Sequence, residues 1–210
     1  MKPVGATFRS VHFAQARKRQ RRGNQLFLSL IAAAMGAVFF SSSLNAQPAT
    51  ASAHQVEAAY IYNFGKFVKW PANAAANQNN SFTICVLGDD PFDTILQSTL
   101  AGQSLNGRPV NVRSISKAQD ASGCHILFIN AALESHLRAI LAALDQSAVL
   151  TVSDIPDFSK RGGMIEFVPQ GDRIRFAINR GSAEDNGLIL ASDLLKVATT
   201  VIGTGRNGGQ

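Results

Sequence analysis

Acidic residues are absent from the first 46 positions of the chain, where seven of its 20 basic residues lie. An apolar run from Leu26 to Phe40 follows the basic stretch and leads to a small residue, Ala46. This order predicts a secretory signal peptide over residues 1–46. One alternative is an uncleaved anchor, although the run falls short of the roughly 20 residues of a membrane span. Another is a twin-arginine signal at Arg21-Arg22, which the residues that follow fit poorly.

The remainder of the chain lacks an excess of basic charge. The whole sequence carries a net charge of +6, which on its own would suggest nucleic acid as a partner. Once the seven basic residues of 1–46 are set aside, 13 basic residues face 14 acidic ones. Binding to a phosphate backbone depends on a surplus of lysine and arginine. The composition therefore argues against a nucleic-acid-binding function.

Cysteine is scarce, because the chain has only Cys85 and Cys124. In an exported protein two cysteines most simply form one disulfide, and the alternative is a pair of buried free thiols. A bridge across this separation would stabilise the fold by about 4 kcal/mol in the chain-entropy model. The histidines after residue 46 are scattered and, with two cysteines, give no zinc-binding spacing. We therefore predict no metal site.

Catalytic motifs are also missing from the sequence. It contains no G-x-S-x-G, P-loop or H-E-x-x-H motif, and its glycine pairs lack the dinucleotide-binding fingerprint. His125 directly follows Cys124, and neighbouring residues on a strand point to opposite faces. The two side chains therefore do not form a nucleophile–base pair, and we interpret His125 as structural. The sequence predicts neither a catalytic residue nor a cofactor.

A helix with one buried face is predicted near the start of the mature chain. Residues 47–54 are small and polar and predict a flexible start. Apolar residues then recur at spacings of three and four, at Val56, Tyr60, Phe64, Phe67 and Val68. Glu57 is expected to point away from this face, and Pro71 ends the helix. Tyr62 and Trp70 are the aromatic residues that the face explains least, so they are candidates to contact a partner.

Short apolar runs alternate with amphipathic segments along the rest of the chain. Strands are predicted over residues 82–87, 109–115, 124–130 and 148–154, and all but the second of them are predicted to be buried. Helices are predicted over 92–100, 132–144 and 191–203, and a hairpin around Gln170-Gly171-Asp172. The alternation predicts one α/β domain over residues 55–203, with a mainly parallel sheet in three layers and the hairpin as a strand pair near one edge. Residues 204–210 are expected to form a disordered tail.

Asp89 and Asp90 come directly after the first of these buried strands. Acidic residues at the carboxyl end of such a strand can hold Mg²⁺, as in receiver domains. The comparison fails at Asn130, which would take the place of the phosphorylated aspartate and cannot be phosphorylated. We interpret the aspartates as turn and helix-capping residues.

Six motifs in the mature chain resemble, in the same order, those of YfiR-like periplasmic proteins. They are AAYIYNFGKFVKWP, FTICVLGDDPF, LNGRPVNVR, CHILFIN, VLTVSDIPDFSKRGGMIEF and RIRFAINRGSAEDNGLILASDLLKVA. Together they run roughly from Val56 to Ile202. The resemblance implies a compact, often dimeric α/β domain of the periplasm without known catalytic activity.

The same resemblance implies a regulatory function. Members of this family repress an inner-membrane diguanylate cyclase by binding its periplasmic region, and an outer-membrane lipoprotein sequesters the repressor. Release of the cyclase raises cyclic di-GMP and favours biofilm formation. Cys85 and Cys124 match a family cysteine pair, which implies a disulfide between them. Some members carry a second pair, at positions that here hold Ser159 and Glu166, so that bridge is not expected.

Two groups of residues are candidate sites. The candidate partner surface comprises Tyr62, Trp70, Phe158, Lys160, Arg161 and Met164. The candidate ligand cleft comprises Asp89, Asn130 and Ser153, because α/β sheets bind ligands at strand carboxyl ends. The cleft supports an alternative hypothesis, a periplasmic small-ligand receptor without a cyclase partner. A hydrolase is a third hypothesis, disfavoured by the lack of any nucleophile–base spacing.

Overall fold

Backbone structure is described for residues 49–203 in a computed structural model, and side chains are described from residue 53. The predicted signal peptide, 1–46, and the predicted tail, 204–210, lie outside the described residues. None of the described helices is both long and apolar enough to cross a membrane.

Five α-helices and ten strands make up the described chain. The helices are α1 (Ala49–Phe67), α2 (Phe92–Leu100), α3 (Leu137–Ala143), α4 (Arg180–Asp185) and α5 (Ser192–Val197). The strands are β1 (Val68–Lys69), β2 (Phe82–Leu87), β3 (Ser104–Leu105), β4 (Arg108–Ile115), β5 (Ile126–Ile129), β6 (Leu150–Ser153), β7 (Ile165–Gln170), β8 (Arg173–Asn179), β9 (Ile189–Leu190) and β10 (Thr200–Ile202). Short 3₁₀ helices cover Ala75–Gln78, Ala118–Gly123 and Ala131–His136.

Eight of the strands form one twisted sheet in the order β10-β8-β7-β6-β5-β2-β4-β3. All neighbours are parallel except the pairs β3/β4 and β7/β8. Every residue of β2, β5 and β6 is buried, which explains the continuous apolar run of β5 and the mostly apolar composition of β2. The predicted α/β class, mainly parallel sheet and C-terminal hairpin pair are confirmed. The short strands β1 and β9 pair separately.

Alternate residues of the central strands supply two apolar layers, one on each face of the sheet. Ile84 and Val86 belong to the core that α1 and α2 cover, whereas Cys85 and Leu87 belong to the core beneath α3. This alternation follows from the period of two of a β-strand. The sheet is therefore sandwiched between helices, as the three-layer prediction requires.

The buried face of α1 differs from the predicted one. Val56 and Phe67 are exposed, at 42% and 39% of their surface, whereas Ala58, Ile61 and Phe64 are buried. Relative to the prediction, α1 is thus rotated about its axis so that the side with Gly65 faces the sheet. A Cβ at Gly65 would lie 2.8 Å from Leu105 and 2.9 Å from Phe82, so glycine allows this face to approach the sheet closely.

Two predicted element boundaries are also wrong. Helix α1 begins at Ala49, inside the segment predicted as a flexible start. The predicted helix over 191–203 is helical only to Val197, and Thr200–Ile202 forms β10, which pairs with β8. The run after Val197 is rich in β-branched residues, which favour strands, and the free edge of β8 supplies backbone partners.

Candidate functional site

The candidate site lies where the central parallel strands end. In the sheet register, Leu87 at the end of β2 pairs with Ile129 of β5, which pairs with Ser153 of β6. The residues that follow these three positions therefore meet at one edge of the sheet. Open α/β sheets bind ligands at this kind of edge.

Only one of the three residues predicted for the ligand cleft takes part in a polar cluster there. Asn130 is half-buried and donates a short hydrogen bond to a carboxylate oxygen of Asp90. Asp90 also accepts the backbone N–H of Phe92 at 2.8 Å, as the turn interpretation predicts. Asp89 is exposed beside the cluster.

Ser153 does not line an open cleft, because it is fully buried. Its hydroxyl donates to the carbonyl of Ile129 at 2.5 Å and accepts the N–H of Ile155 at 3.0 Å. Both hydrogen-bonding directions of the hydroxyl are thus used inside the fold, and the role of this serine is to join β6 to β5. The placement of Ser153 in a ligand cleft is corrected accordingly.

Three further residues, which the sequence pattern did not predict for this site, complete the cluster. Glu57 on α1 is buried, with 5% of its surface exposed, although it was expected to point away from the core. His54 lies one helical turn earlier, with its Nε2 3.9 Å from Oε2 of Glu57. Asp154 directly follows β6 and is half-buried. A signal for Glu57 exists in the sequence, because it precedes Ile61 by four residues and thus shares the buried face.

Burial and like charge govern the protonation of this cluster. Burial raises the pKa of Glu57 to about 8, and the nearby carboxylates of Asp154 and Asp90 add to the effect. Burial also raises the pKa of Asp154, against backbone N–H groups that favour its charged form. At neutral pH the Glu57 carboxyl therefore holds a proton. Among the described residues, no group of three or more His, Cys, Asp or Glu is arranged to hold a metal ion.

The residues predicted as a partner surface do not form one exposed surface. Lys160 and Arg161 are exposed and form ion pairs, Lys160 with Asp157 at 2.6 Å and Arg161 with Glu134 at 2.7 Å. Phe158 is fully buried in the core beneath α3. Its ring lies so close to Gly163 that a Cβ there would be 2.1 Å from it. The expectation that Phe158 contacts a partner is therefore corrected.

Met164, Tyr62 and Trp70 are likewise committed to contacts within the fold. Met164 is buried, with 4% of its surface exposed. Tyr62 and Trp70 are half-buried. The Tyr62 hydroxyl donates to the Ser104 carbonyl at 3.0 Å, and the Trp70 indole N–H donates to the His125 carbonyl at 3.1 Å. Their polar atoms are thus used to join α1 and the segment after it to the sheet.

A polar network holds the crossover loop between β6 and β7. The Glu166 carboxylate accepts the Asp157 N–H at 2.9 Å, the Ser159 N–H at 3.1 Å and the Ser159 hydroxyl at 2.6 Å. Asn179 donates to the Ser159 carbonyl at 2.8 Å. Ser159 and Glu166 are the two positions at which the resemblance places a second cysteine pair in other members. Here hydrogen bonds connect these positions.

The predicted disulfide between Cys85 and Cys124 is present, with the two Cα atoms 5.9 Å apart. It joins β2 to the residue just before β5, and both cysteines are fully buried. A guanidinium nitrogen of Arg113 lies 3.6 Å from the sulfur of Cys124 and 3.9 Å from that of Cys85. Arg113 therefore packs directly against the bridge.

His125 is structural, as the sequence predicts. Its Nδ1 accepts the N–H of Thr83 at 3.1 Å, and its ring stacks on Phe82 with centroids 4.3 Å apart. Burial, and secondarily the charge of Arg108, lowers the pKa of His125 to about 4. The imidazole is therefore neutral at physiological pH.

Similarity to known proteins identifies the family. A family model described as YfiR/HmsC-like matches residues 54–199. A search of curated proteins finds no significant match.

Among solved structures, the chain is similar to a conserved domain protein from Vibrio cholerae, at 12% identity and a TM-score of 0.50. That similarity covers 69% of this chain and 60% of the Vibrio protein, so this chain spans about 60% of its length. A second similar structure is an ABC domain in complex with L-Trp from Streptococcus pneumoniae. It shows 13% identity and a TM-score of 0.43, over 59% of this chain and 56% of that one. At such identities the likeness concerns the fold alone. Because the family match covers well over half of the chain, the protein belongs to the YfiR/HmsC-like family.

Proposed function

We propose that this protein is a periplasmic regulator that represses an inner-membrane diguanylate cyclase and thereby limits cyclic di-GMP and biofilm formation. The observation that carries the proposal is the family match over residues 54–199, which takes in nearly the whole described domain. The predicted signal peptide supports export to the periplasm, where the sensor region of such a cyclase lies. Non-enzymatic action is part of the proposal, since repression by binding requires only different affinities for two states of the partner.

Exposed apolar side chains favour one region of the described surface for binding this partner. Among the described residues, the large apolar side chains that are exposed are Val56, Phe67, Ile189, Val197 and Val201. The first two are on α1, and the others are on β9, α5 and β10. Strand β9 pairs with β1 directly after α1, and the Ala191 N–H donates to the Phe67 carbonyl at 2.8 Å. Phe67 and Ile189 thus lie on neighbouring segments, and exposed apolar groups that adjoin one another are typical of protein interaction sites.

The exposed part of the crossover loop supplies a second, charged contribution to the proposed partner surface. Lys160 pairs with Asp157 and Arg161 with Glu134, and both ion pairs are exposed. Exposed pairs contribute little to stability, so the two cations can exchange their acidic neighbours for acidic groups of a partner. Homodimer formation and capture by an outer-membrane lipoprotein complete the proposal and rest on the resemblance.

Deletion of the gene in its own host tests the function directly. We expect intracellular cyclic di-GMP to rise in the deletion strain and to return to the parental level when the wild-type gene is restored. An unchanged level under several growth conditions would remove the repressor function for this protein. A small-ligand receptor would then be the leading hypothesis.

A substitution in the restored gene tests the proposed surface. Ile189→Asp places a charge at a position that is 65% exposed, so we expect the protein to accumulate normally but to leave cyclic di-GMP high. Asp172→Ala, in the exposed turn between β7 and β8, is the matched control and should repress fully. Full repression by the Ile189 variant would show that the apolar region is not the binding surface.

A further inference from the structure

The cluster at the carboxyl edge of the sheet has hydrogen-bond acceptors that the described residues do not satisfy. Three buried oxygens lack a hydrogen-bond partner among these residues: Oε2 of Glu57, Oδ1 of Asn130 and Oδ1 of Asp154. Buried polar atoms are rarely left unpaired, since each costs roughly 1–3 kcal/mol. Three such atoms from three different elements indicate that something else completes this site.

The site has a buried floor and an accessible rim. Glu57 forms the floor, and only 7% of its side chain is exposed. Asn130, Asp154 and Asp90 are half-buried at the strand ends, and 35% of the His54 side chain is exposed. The Glu57 carboxyl is thus the most deeply buried member of a cluster whose other members are partly accessible to solvent.

The charge of the site is negative. Beyond the effect of burial, the charges of Asp154 and Asp90 raise the pKa of Glu57, and the charge of Asp90 raises the pKa of Asp154; Asp89, next to Asp90 in the chain, is exposed. The ion pairs that lysine and arginine form in the described residues involve other acids. His54 is the basic side chain that faces Glu57, at 3.9 Å. A ligand that enters this site must bring positive charge and hydrogen-bond donors.

We propose that this edge of the sheet binds a small organic ligand through a protonated primary amine, whose three N–H groups donate to Glu57, Asn130 and Asp154. An ammonium group has three donors and no acceptor, which matches the three unpaired oxygens once Glu57 is ionised. A divalent metal ion fits less well, because the described residues hold no group of three His, Cys, Asp or Glu in metal-binding geometry. Binding of the amine does not depend on the cyclase.

Binding of the amine is coupled to the proton on Glu57. Burial, Asp154 and Asp90 hold the pKa of this carboxyl at about 8, so at neutral pH the proton must leave before the carboxylate can accept from an ammonium. The affinity therefore rises with pH up to about 8, by at most about tenfold per pH unit. Asp154 and Asp90 are the charged groups that raise the pKa of Glu57 beyond the effect of burial, and His54 is the basic group that faces Glu57.

Calorimetric titration of the protein purified from the periplasm tests the proposal. The probes are putrescine and ethanolamine at pH 6.5 and pH 8.0. Tetramethylammonium, which has the charge without N–H donors, and Ca²⁺ and Mg²⁺ serve as comparisons. We expect saturable binding of at least one amine, tighter at pH 8.0, and much weaker binding of tetramethylammonium and of both metal ions.

Substitutions test whether Glu57 and Asp154 bind the amine. Glu57→Gln and, independently, Asp154→Asn should weaken amine binding by about tenfold or more, since each removes a charge-assisted hydrogen bond. Asp89→Asn removes an exposed neighbouring charge and should have a much smaller effect. Thermal unfolding of each variant shows whether it is folded. Glu57 and Asp154 are substituted in separate variants so that misfolding of one variant does not decide the result.

Three results would overturn the proposal. They are no saturable binding of either amine, equal binding of tetramethylammonium, and binding of a metal ion in place of the amines. Because calorimetry does not measure cyclic di-GMP, any of these results leaves the proposed repressor function intact. Conversely, amine binding would stand even if deletion of the gene left cyclic di-GMP unchanged.

Discussion

Glu57 and His125 are buried side chains whose pKa values are shifted in opposite directions by the fold. The pKa of Glu57 rises from 4.5 to about 8, and that of His125 falls from 6.5 to about 4. The folded chain therefore binds an extra proton at Glu57 between pH 4.5 and 8, whereas the unfolded chain binds an extra proton at His125 between pH 4 and 6.5. The two effects on stability oppose each other below pH 6.5, and only that of Glu57 remains above it.

We expect the free energy of unfolding to fall as pH rises from 6.5 to 8, by at most about 1.4 kcal/mol per pH unit. Chemical denaturation at a series of pH values measures this slope. Glu57→Gln should flatten it, and Asp172→Asn, a change at an exposed turn, should not. A wild-type protein of constant stability across this range would show that Glu57 is ionised in the fold.

At the scale of elements, the crossover loop between β6 and β7 depends on a single side chain. Glu166 accepts three hydrogen bonds from the loop residues Asp157 and Ser159. The loop also contains buried Phe158, so its conformation is tied to the core. We expect Glu166→Ala to destabilise the protein by about 1–3 kcal/mol, because two backbone N–H groups lose their acceptor.

Amide hydrogen exchange shows where in the fold Glu166→Ala lowers stability. The amides of Asp157 and Ser159 should exchange faster in the Glu166 variant, while those of β2 and β5 change less. The control is Glu134→Ala, which removes only the exposed ion pair with Arg161 and should cost less than about 1 kcal/mol. Equal destabilisation by the two variants would contradict the role given to Glu166.

The elements also show why some of the fold could be predicted from the sequence and some could not. β2 and β5 were predictable because burial on both faces leaves an apolar run in each, and β6 was predictable because the apolar residues 148–150 lead into it. The orientation of α1 was not, because Glu57 occupies its buried face and the neighbours of Glu57 come from distant strands. The strand β10 was missed for a similar reason, since its partner edge on β8 is visible only in the folded sheet.

The candidate site, like the fold, could be predicted only in part from the sequence. The strand ends were predictable, and with them the presence of Asn130 at that edge. Asp154 and His54 were not assigned, because the sequence does not show that α1 lies next to the end of β6. Phe158 was predicted to be exposed because polar and apolar residues are mixed in its loop. In the folded chain the backbone of Gly163 packs closely against the Phe158 ring, and no pattern in the sequence predicts this contact.

At the scale of the whole molecule, the disulfide ties two central strands of the sheet together. Cys85 and Cys124 are 39 residues apart in sequence. We expect a variant with both cysteines changed to serine to lose about 4 kcal/mol in the chain-entropy model. Urea denaturation of the wild type with and without a reductant should show the same difference, and the reductant should not affect the variant. Equal stability of the oxidised and reduced wild type would contradict this expectation.

Ser159 and Glu166 are connected by hydrogen bonds and not by a disulfide, and this affects the oxidative folding of the protein. A chain with two cysteines has one possible intramolecular bridge, whereas four cysteines allow three different pairings. Formation of the native bond between Cys85 and Cys124 therefore requires an oxidant but no correction of wrong pairs. Production of this protein should depend on a thiol oxidase of the export compartment and be indifferent to the loss of a disulfide isomerase.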